Sequence, residues 1–569
     1  MIKLKIVSSL EKALLEENIE GFRSLDRISV LKGERLSFQL LHTFCPTPAL
    51  DPLERNRADC VLTAEGALIQ YATFRDVCNV PVERPTVEKA VGDEDYISKR
   101  PGLFPDLLRP LHYENHVICA PNLLAAVWVE INIPEDISAG EYVLKCKLDA
   151  TATVKGSAEC ALTVEVIDAV MPKEEIYFTQ WLHCDCLANY YNVEVWSERH
   201  WQIIENFARV AAKNGINMLL TPVFTPPLDT AVGGERRTTQ LVGVTKNGEN
   251  YSFDFTLLDR WVQMCDRIGI KYLEISHLFT QWGAYHAPKV MATVNGEYKR
   301  IFGWDTEAAG ESYSTFLRTF LTALLSHMKE NGNDRRCFFH ISDEPGIAHL
   351  DSYKAAKAVV SKILAGYTIM DALSKYEFYK DGLVETPIPS SNHIAPFIEA
   401  NAPNLWTYYC CSQTQKVSNR FIAMTSWRNR SIGFQMYKYD IVGFLHWGYN
   451  FYANYGSADV INPYLQQDGD GWVSPGDAYS VYPSHTGEAL ESLRIVVFYE
   501  ALQDMKAMKL CEKYYGKAAV IKQIDAAIGT SVTFDTCAKS ADAILNLREK
   551  VNAMIKAAIE SGTSLGKKA

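Results

Sequence analysis

Two adjacent carboxylic acids, Asp343 and Glu344, follow an apolar run in the segment CFFHISDEPG at residues 337–346. Neighbours on a regular strand point to opposite faces, so these acids can share one site only where a strand ends. The Pro345-Gly346 pair indicates that the strand ends there. Two carboxyls in one site do not both ionise easily, and one pKa rises. Such a pair supplies one protonated and one ionised group, as general acid-base chemistry requires.

The pattern of predicted secondary structure that must position this pair changes along the chain. Residues 1–170 are short alternating runs separated by turns, which predicts an N-terminal β-sandwich domain. Strands then alternate with helices, which predicts a catalytic (β/α)8 TIM-like barrel over residues 171–510. Residues 511–569 are predicted to form a C-terminal helical segment. The predicted fold class is therefore multidomain, all-β followed by α/β.

Residues 337–344 are the fourth strand of the predicted barrel. The earlier strands begin near residues 176, 216 and 271, and later strand-like runs are TIMDAL, NLWTYYCC, VGFLHWGYN and AYSVYP. Between the first two strands, a helix is predicted with Ser197 as its N-cap and Gly215 at its end. Catalytic residues of such barrels lie at the carboxyl ends of the strands. Asp343 and Glu344 fall at that position.

The other predicted strand ends carry aromatic side chains beside His, Asn and Asp. This combination suits a sugar, which offers apolar ring faces and hydroxyl rims. We predict that the substrate is contacted by Trp181, His183, Asp185, His277, Gln281, Trp282, Trp304, His340, Trp406, Tyr408, Trp447, Asn450 and Tyr482. Trp282 and Trp304 lie in a long insertion without periodic pattern, and such insertions tend to be functional.

Several residues have competing interpretations. Trp201 and Trp261 occur at helical spacing and are predicted to be core residues. Glu274 is the strongest rival carboxylate, but on a strand it alternates out of phase with His277. In the segment LHCDC, a strand would place His183 and Asp185 on the face opposite the two cysteines, so they would not surround one ion. No metal site is predicted, and the motifs of phosphate loops, serine-esterase elbows and zinc proteases are absent from the sequence. No cofactor is expected.

Composition restricts the partners and the compartment. The net charge of -11 argues against nucleic acid or an anionic membrane surface as the main partner. The sequence has no apolar stretch long enough to span a bilayer, and its first residues lack a signal-peptide core. The fourteen cysteines are scattered and form no C-x-x-C pair. We therefore expect a cytoplasmic protein with reduced cysteines.

The segments FFHISDEPG, HLFTQWGAYHAPKVMATVNGEYKRIFGWDT, NLWTYYCC, GFLHWGYNFY and GDAYSVYPS resemble glycoside hydrolase family 123, whose relatives carry the DUF4091 domain. The resemblance covers nearly the whole chain. It implies a retaining, exo-acting β-N-acetylgalactosaminidase that uses substrate-assisted catalysis. In this resemblance, Glu344 matches the general acid/base and Asp343 matches the residue that orients and stabilises the 2-acetamido group. The implied partner is an oligosaccharide or glycoconjugate, in carbohydrate metabolism.

Two alternatives stay open. The sugar could be N-acetylglucosamine or another 2-acetamido sugar, because the epimers differ only at O4. A non-catalytic carbohydrate-binding protein could also have kept the barrel. The intact Asp343-Glu344 pair weighs against the second alternative, because loss of either acid is the simplest route to such a protein.

Overall fold

The computed structural model describes residues 1–53, 55–86, 93–111, 115–152 and 154–563. The chain forms two compact units. The first contains Met1–Glu175, Thr414–Tyr439 and Leu490–Ala569, and the second contains Ile176–Gln413 and Asp440–Ala489. The boundaries predicted at 170/171 and 510/511 stay predictions of domain organisation. No helix in the described ranges has the length and apolar character needed to cross a bilayer.

The first unit begins with a β-sandwich whose two sheets share one core. Its strands are β1 (Ile2–Ser8), β2 (Arg27–Lys32), β3 (Arg35–Phe44), β4 (Ala58–Glu65), β5 (Ala72–Val82), β6 (Gly102–Pro110), β7 (His116–Cys119), β8 (Ala125–Asn132), β9 (Gly140–Ala150) and β10 (Ser157–Val170). One sheet has the order β1-β3-β8-β5-β6 and the other β2-β10-β9-β4-β7. In β9, Leu144, Cys146 and Leu148 are buried while their neighbours are not, which is the period of two expected of a strand with one buried face.

The second unit is built on parallel strands. Its strands, with those of its insertions, are β11 (Tyr177–Gln180), β12 (Met218–Thr221), β13 (Gly243–Asn247), β14 (Asn250–Asp254), β15 (Tyr272–Ile275), β16 (Val290–Val294), β17 (Glu297–Phe302), β18 (Cys337–Phe339), β19 (Thr368–Leu373), β20 (Thr386–Pro389), β21 (Trp406–Tyr408), β22 (Gly443–His446) and β23 (Val481–Pro483). Only the first residue of β24 (Ala489–Glu491) belongs to this unit. One eight-stranded sheet has the order β20-β19-β18-β15-β12-β11-β22-β21. A single bridge between Ser390 and Tyr408 joins its two edges, so the sheet is a nearly closed barrel.

The predicted barrel is confirmed, and β18 is its fourth strand, but two later strands were assigned wrongly. The sixth strand is β20, which the sequence analysis did not identify, and the run AYSVYP contains β23, which lies outside the barrel sheet. Pro387 and Pro389 occupy two of the four positions of β20. Proline cannot donate to a ladder, which explains both the missed strand and the weak closure between β20 and β21.

Helices cover the barrel strands. They are α1 (Cys184–Tyr190), α2 (Glu198–Lys213), α3 (Thr256–Ile268), α4 (Glu311–Glu330), α5 (Leu350–Val360), α6 (Tyr376–Lys380) and α7 (Ala395–Glu399). The N-cap predicted for α2 is confirmed, since the Ser197 side chain accepts a hydrogen bond from the His200 N–H. Trp201 and Trp261, on α2 and α3, are buried as predicted. The first strand, however, ends at Gln180, and Cys184 begins a helix instead of continuing the strand.

The long insertion between β15 and α4 is more regular than expected. Strands β16 and β17 pair as an antiparallel hairpin and join β13 and β14 in a four-stranded sheet. Asn295 and Gly296, at the turn, have φ angles of 53° and 86°. An Asn-Gly pair is the residue choice that a tight hairpin turn requires, so the turn was detectable in the sequence.

The first unit also contains the helices α8 (Ser426–Arg430), α9 (Ile432–Lys438), α10 (Leu493–Tyr515), α11 (Lys517–Ile528) and α12 (Ala541–Glu560). Buried ion pairs fix them within this unit. Arg494 of α10 binds Asp106 of β6 with Nε–Oδ1 at 2.9 Å, and Arg548 of α12 binds Glu34 with Nη2–Oε2 at 2.7 Å. The predicted C-terminal helices are therefore present.

Candidate active site

Asp343 and Glu344 follow the fourth barrel strand, β18, and the backbone changes direction between them. Glu344 has a φ angle of 45°, in the left-handed region that non-glycine residues seldom adopt. The turn is fixed on both sides, because the Trp282 N–H donates to the Asp343 carbonyl oxygen at 2.9 Å and the Glu344 N–H donates to the Ala372 carbonyl oxygen at 3.0 Å. This turn breaks the alternation of a strand, which is the condition for adjacent acids to face one site.

The environments of the two carboxyl groups differ. Asp343 is half-buried, and its carboxyl group has no hydrogen-bond partner among the described residues. Burial raises the pKa of Asp343 well above its usual range, and the charges of Glu344 and Asp229 raise it further. Glu344 is open to solvent at the mouth of the site, and its Oε1 accepts a hydrogen bond from the Tyr408 hydroxyl. Desolvation by the surrounding protein raises the pKa of Glu344, and the Tyr408 hydroxyl opposes this rise.

Two further carboxylates act on this pair, and the sequence analysis did not identify either. Asp229 follows β12, and burial, with the charges of Glu344 and Asp477, raises its pKa to about 7, although Arg236 opposes the rise. Asp477 lies in the connection after β22 and raises the pKa of Glu344. Its Oδ2 accepts a hydrogen bond from Trp447 Nε1 at 2.8 Å. The site is thus an acidic centre that favours the retention of protons at neutral pH.

A buried charge relay joins residues of β15 and β19 to His340, the residue that directly follows β18. His340 Nε2 is 2.8 Å from Glu274 Oε1, and its Nδ1 is 3.3 Å from Asp371 Oδ1. Burial lowers the pKa of His340, but hydrogen bonds and charges from Asp371 and Glu274 outweigh it and raise the pKa to about 9. Asp371 Oδ1 also accepts the Ile341 N–H at 3.0 Å, so the relay fixes the backbone that leads to Asp343. The positive His340 ring favours ionisation of Asp343.

The matches to known proteins decide the family. A family model, the glycoside hydrolase 123 catalytic domain, matches residues 181–511, which is more than half of the chain. The chain belongs to glycoside hydrolase family 123. It is therefore an enzyme, a glycoside hydrolase, and its substrate is a glycan.

One solved structure supports the fold of this family 123 enzyme. A family 123 glycoside hydrolase from Clostridium perfringens, solved in a study of glycolipid glycan hydrolysis, is 15% identical with a TM-score of 0.74, and the match covers 99% of this chain and 98% of that chain. A β-glucuronidase from Ruminococcus gnavus is 9% identical with a TM-score of 0.32, over 82% of this chain and 88% of that one. The second likeness is too low to carry an argument. Among curated proteins, none matches the chain.

In the family 123 enzyme, the residues predicted to contact substrate divide into three groups. Tyr408 and Trp447 reach the acidic centre through the hydrogen bonds to Glu344 and Asp477. Trp282 reaches it through its backbone, and its side chain is 43% exposed. These three predicted residues are tied by hydrogen bonds to Glu344, Asp477 and Asp343, respectively.

A second group lies in the barrel interior or supports its loops. Trp181 Nε1 donates to Glu274 at 2.8 Å, and the His277 ring stacks on His340 at 4.2 Å. Glu274 and His277 therefore both contact the His340 ring. The alternation of a regular strand had predicted that these two side chains would point to opposite faces. Gln281 Oε1 accepts the Asp229 N–H at 2.7 Å and so positions that loop.

Arg236, which the sequence analysis did not identify, forms hydrogen bonds with both His183 and Asp185. Arg236 donates to both Asp185 oxygens, from Nε at 2.7 Å and from Nη2 at 2.6 Å, and to His183 Nδ1 at 3.0 Å. Burial opposes ionisation, yet the Arg236 guanidinium keeps the pKa of Asp185 below its usual value. His183 Nε2 donates to the Trp447 carbonyl oxygen at 2.9 Å, and Asn450 binds the His183 backbone. These side chains position the site through their mutual bonds.

The third group has its recorded contacts elsewhere in the fold. Trp406 was expected at a strand end, but it begins β21, at the amino end of the barrel, and it stacks on Tyr177 at 5.4 Å. Only glycine fits beside it, because a Cβ at Gly443 would lie 2.1 Å from the indole. Tyr482 belongs to β23 and is buried among other tyrosines. Trp304 donates from Nε1 to the Gly234 carbonyl oxygen at 2.9 Å and holds two loops together.

Proposed function

We propose that the enzyme is a retaining, exo-acting hydrolase that releases terminal β-linked N-acetylgalactosamine by substrate-assisted catalysis. Its substrates are small oligosaccharides or the glycans of glycoconjugates. The observation that carries the proposal is the contrast between the two adjacent acids. Glu344 is held by Tyr408 at the open mouth of the site, whereas the Asp343 carboxyl has no hydrogen-bond partner among the described residues.

An unpartnered carboxyl group suits the role proposed for Asp343. In substrate-assisted catalysis the acetamido oxygen of the substrate attacks the anomeric carbon, so the enzyme supplies no nucleophile. Asp343 accepts a hydrogen bond from the acetamido N–H and balances the positive charge of the oxazolinium intermediate. Burial and the charges of Glu344 and Asp229 raise the pKa of Asp343, and the His340 imidazolium opposes this rise and so favours the ionised form that this role needs.

Glu344 acts as the general acid and then as the general base. It must be protonated to donate to the leaving oxygen and ionised to activate water. Desolvation and the neighbouring Asp477 raise the pKa of Glu344, which keeps a proton available. Consecutive residues of one turn are poorly arranged to flank a glycosidic bond from two sides, which disfavours an enzyme nucleophile in the pair.

The sugar is tested with a panel of aryl β-glycosides that differ at C2 and C4. We expect turnover of the N-acetylgalactosaminide, little turnover of the galactoside that lacks the acetamido group, and strong inhibition by a thiazoline analogue of the intermediate. Preference for the N-acetylglucosaminide would change the sugar and keep the mechanism. Equal turnover of the two galactosides would contradict the mechanism, and no turnover at high enzyme concentration would contradict the function.

The two roles are separated with paired good and poor leaving groups. Glu344→Gln should reduce kcat/KM on poor leaving groups far more than on nitrophenol, which departs with little help. Asp343→Asn should reduce kcat/KM on both alike, by roughly 10²–10³-fold, because oxazoline formation needs that carboxylate whatever departs. Glu297→Gln, at an exposed carboxylate on β17, is the control. Swapped patterns would exchange the roles, and near-wild-type activity in both variants would remove the pair from the chemistry.

The cytoplasmic location remains part of this proposal. All fourteen cysteines are free thiols in the structure, which supports a reducing compartment.

A further inference from the structure

The large exposed apolar side chains of the barrel unit are confined to one face. Across the described ranges of this unit, they are Val232, Trp282, Tyr285, Tyr298, Ile347, Tyr455, Val460 and Leu465. All of them lie in connections that follow the carboxyl ends of β12, β15, β18 and β22. The connections at that end of a barrel carry the active site, so these side chains belong to the same set of connections as the catalytic pair.

Trp282 and Tyr285 are the members of this set that the structure ties to the pair. The Trp282 N–H donates to the Asp343 carbonyl oxygen at 2.9 Å. The Tyr285 ring packs edge-on against His349, with ring centroids 5.6 Å apart, and His349 Nδ1 accepts the Gly346 N–H at 3.0 Å, two residues after Glu344. Trp282 and Tyr285 are 43% and 48% exposed, so both side chains are open to solvent.

The backbone that presents these rings is strained. Trp282 and Ala284 have φ angles of 55° and 54°, and Gly283 between them has 125°. Two non-glycine residues in the left-handed region within one short turn are costly, and such strain persists where the surrounding structure enforces it. A Cβ at Gly283 would lie 2.8 Å from Tyr285 and 2.9 Å from His349, so the turn is also closely packed. The turn therefore holds the backbone of Trp282 in one conformation.

From this arrangement we propose that Trp282 and Tyr285 form the platform for the aglycone, binding the pyranose ring attached to the leaving oxygen. The inference rests on the proposed function. An exo-acting enzyme takes the terminal sugar inward, past the half-buried Asp343, and its leaving group points outward past Glu344. An exposed aromatic pair at that entrance meets the apolar face of the next sugar ring. The interaction is with ring C–H groups and needs no charge.

The test compares two substrates that share the terminal sugar and differ in the aglycone. One is a disaccharide with β-linked N-acetylgalactosamine at its non-reducing end, and the other is the β-glycosyl fluoride of the same sugar, which has no aglycone ring. We expect Trp282→Ala to reduce kcat/KM on the disaccharide by about 10-fold, with Tyr285→Ala giving a smaller loss. Both variants should hydrolyse the fluoride within about 2-fold of wild type, since nothing occupies the platform.

The matched control is Tyr298→Ala, which removes an aromatic ring of β17 that is 62% exposed. It should leave both substrates unaffected. Trp282→Phe should restore most of the activity on the disaccharide, which a purely structural role of the turn would not predict. Equal losses on both substrates, or no loss on the disaccharide, would overturn the platform while leaving the proposed function intact. Wild-type inactivity on both substrates would overturn the proposed function and the platform with it.

Discussion

Replacing Tyr408 with phenylalanine removes one hydrogen bond from the general acid and keeps the aromatic ring in place. Tyr408 ends β21, is buried, and donates its hydroxyl hydrogen to Glu344 Oε1. A donor stabilises the ionised carboxylate, so this bond holds down the pKa of Glu344. Hydrogen bonds to charged groups contribute about 1.5–3 kcal/mol. Since one pKa unit corresponds to about 1.4 kcal/mol, Tyr408→Phe should raise the pKa of Glu344 by about 1–2 units.

The pH dependence of kcat/KM measures this change directly. In the proposed mechanism the free enzyme needs a protonated Glu344, so activity on a poor leaving group falls as pH rises through its pKa. In Tyr408→Phe this alkaline limb should move to higher pH by about 1–2 units, since the loss of a donor disfavours ionisation. The acidic limb, which reports a different group, should move much less. The profile is recorded from about pH 4 to pH 10 for wild type and variant.

The neighbouring Tyr409→Phe is the matched control. The Tyr409 ring packs against Phe444 at 4.9 Å and His446 at 5.6 Å. The side-chain hydrogen bond that lowers the pKa of Glu344 comes from Tyr408. The alkaline limb of Tyr409→Phe should coincide with that of wild type. An unmoved limb in Tyr408→Phe, or one moved to lower pH, would show that Glu344 is not the group whose protonation limits activity.

Two further predictions concern buried charges. Arg236→Met should destabilise the protein by about 3–5 kcal/mol in urea unfolding, because it leaves Asp185 buried without its partner; a loss below about 1 kcal/mol would contradict this. The pKa of His340 is about 9 in the folded protein and 6.5 for an unpaired imidazole. The stabilisation of the folded state by His340 is therefore complete below about pH 6.5 and is lost as pH rises through about 9. The difference in unfolding free energy between wild type and His340→Gln should therefore shrink by about 3 kcal/mol over that range, and a constant difference would refute the relay with Glu274 and Asp371.

The sequence determined features that depend on neighbouring residues. The alternation of buried residues in β9 and the N-cap of α2 at Ser197 follow from local patterns. The fourth strand was located from similar signals, but it ends at Phe339 and not at Glu344 as predicted. The acid pair could be located for the same reason, since a strand end and two adjacent acids are visible within ten residues. The resemblance to family 123 was carried by equally short segments, and the family model confirmed it.

Tertiary structure decided which strand end each side chain occupies. Several barrel strands have only three or four residues. So short a run shows no clear alternation, and the sequence therefore does not reveal where the strand begins and where it ends. Trp406 was therefore placed at the wrong end of β21. The sixth strand, with its two prolines, was recognisable only from its pairing with β19.

Contacts between residues that are far apart in the sequence could not be predicted from local patterns either. Asp229 acts on Asp343 and Asp477 acts on Glu344, from two different connections. Arg236 binds Asp185 from a third position in the chain. Each of these contacts exists because the closed barrel brings the carboxyl ends of its strands together. The sequence specified the two acids, and the closure of the barrel gave them the charges and hydrogen bonds that set their proton affinities.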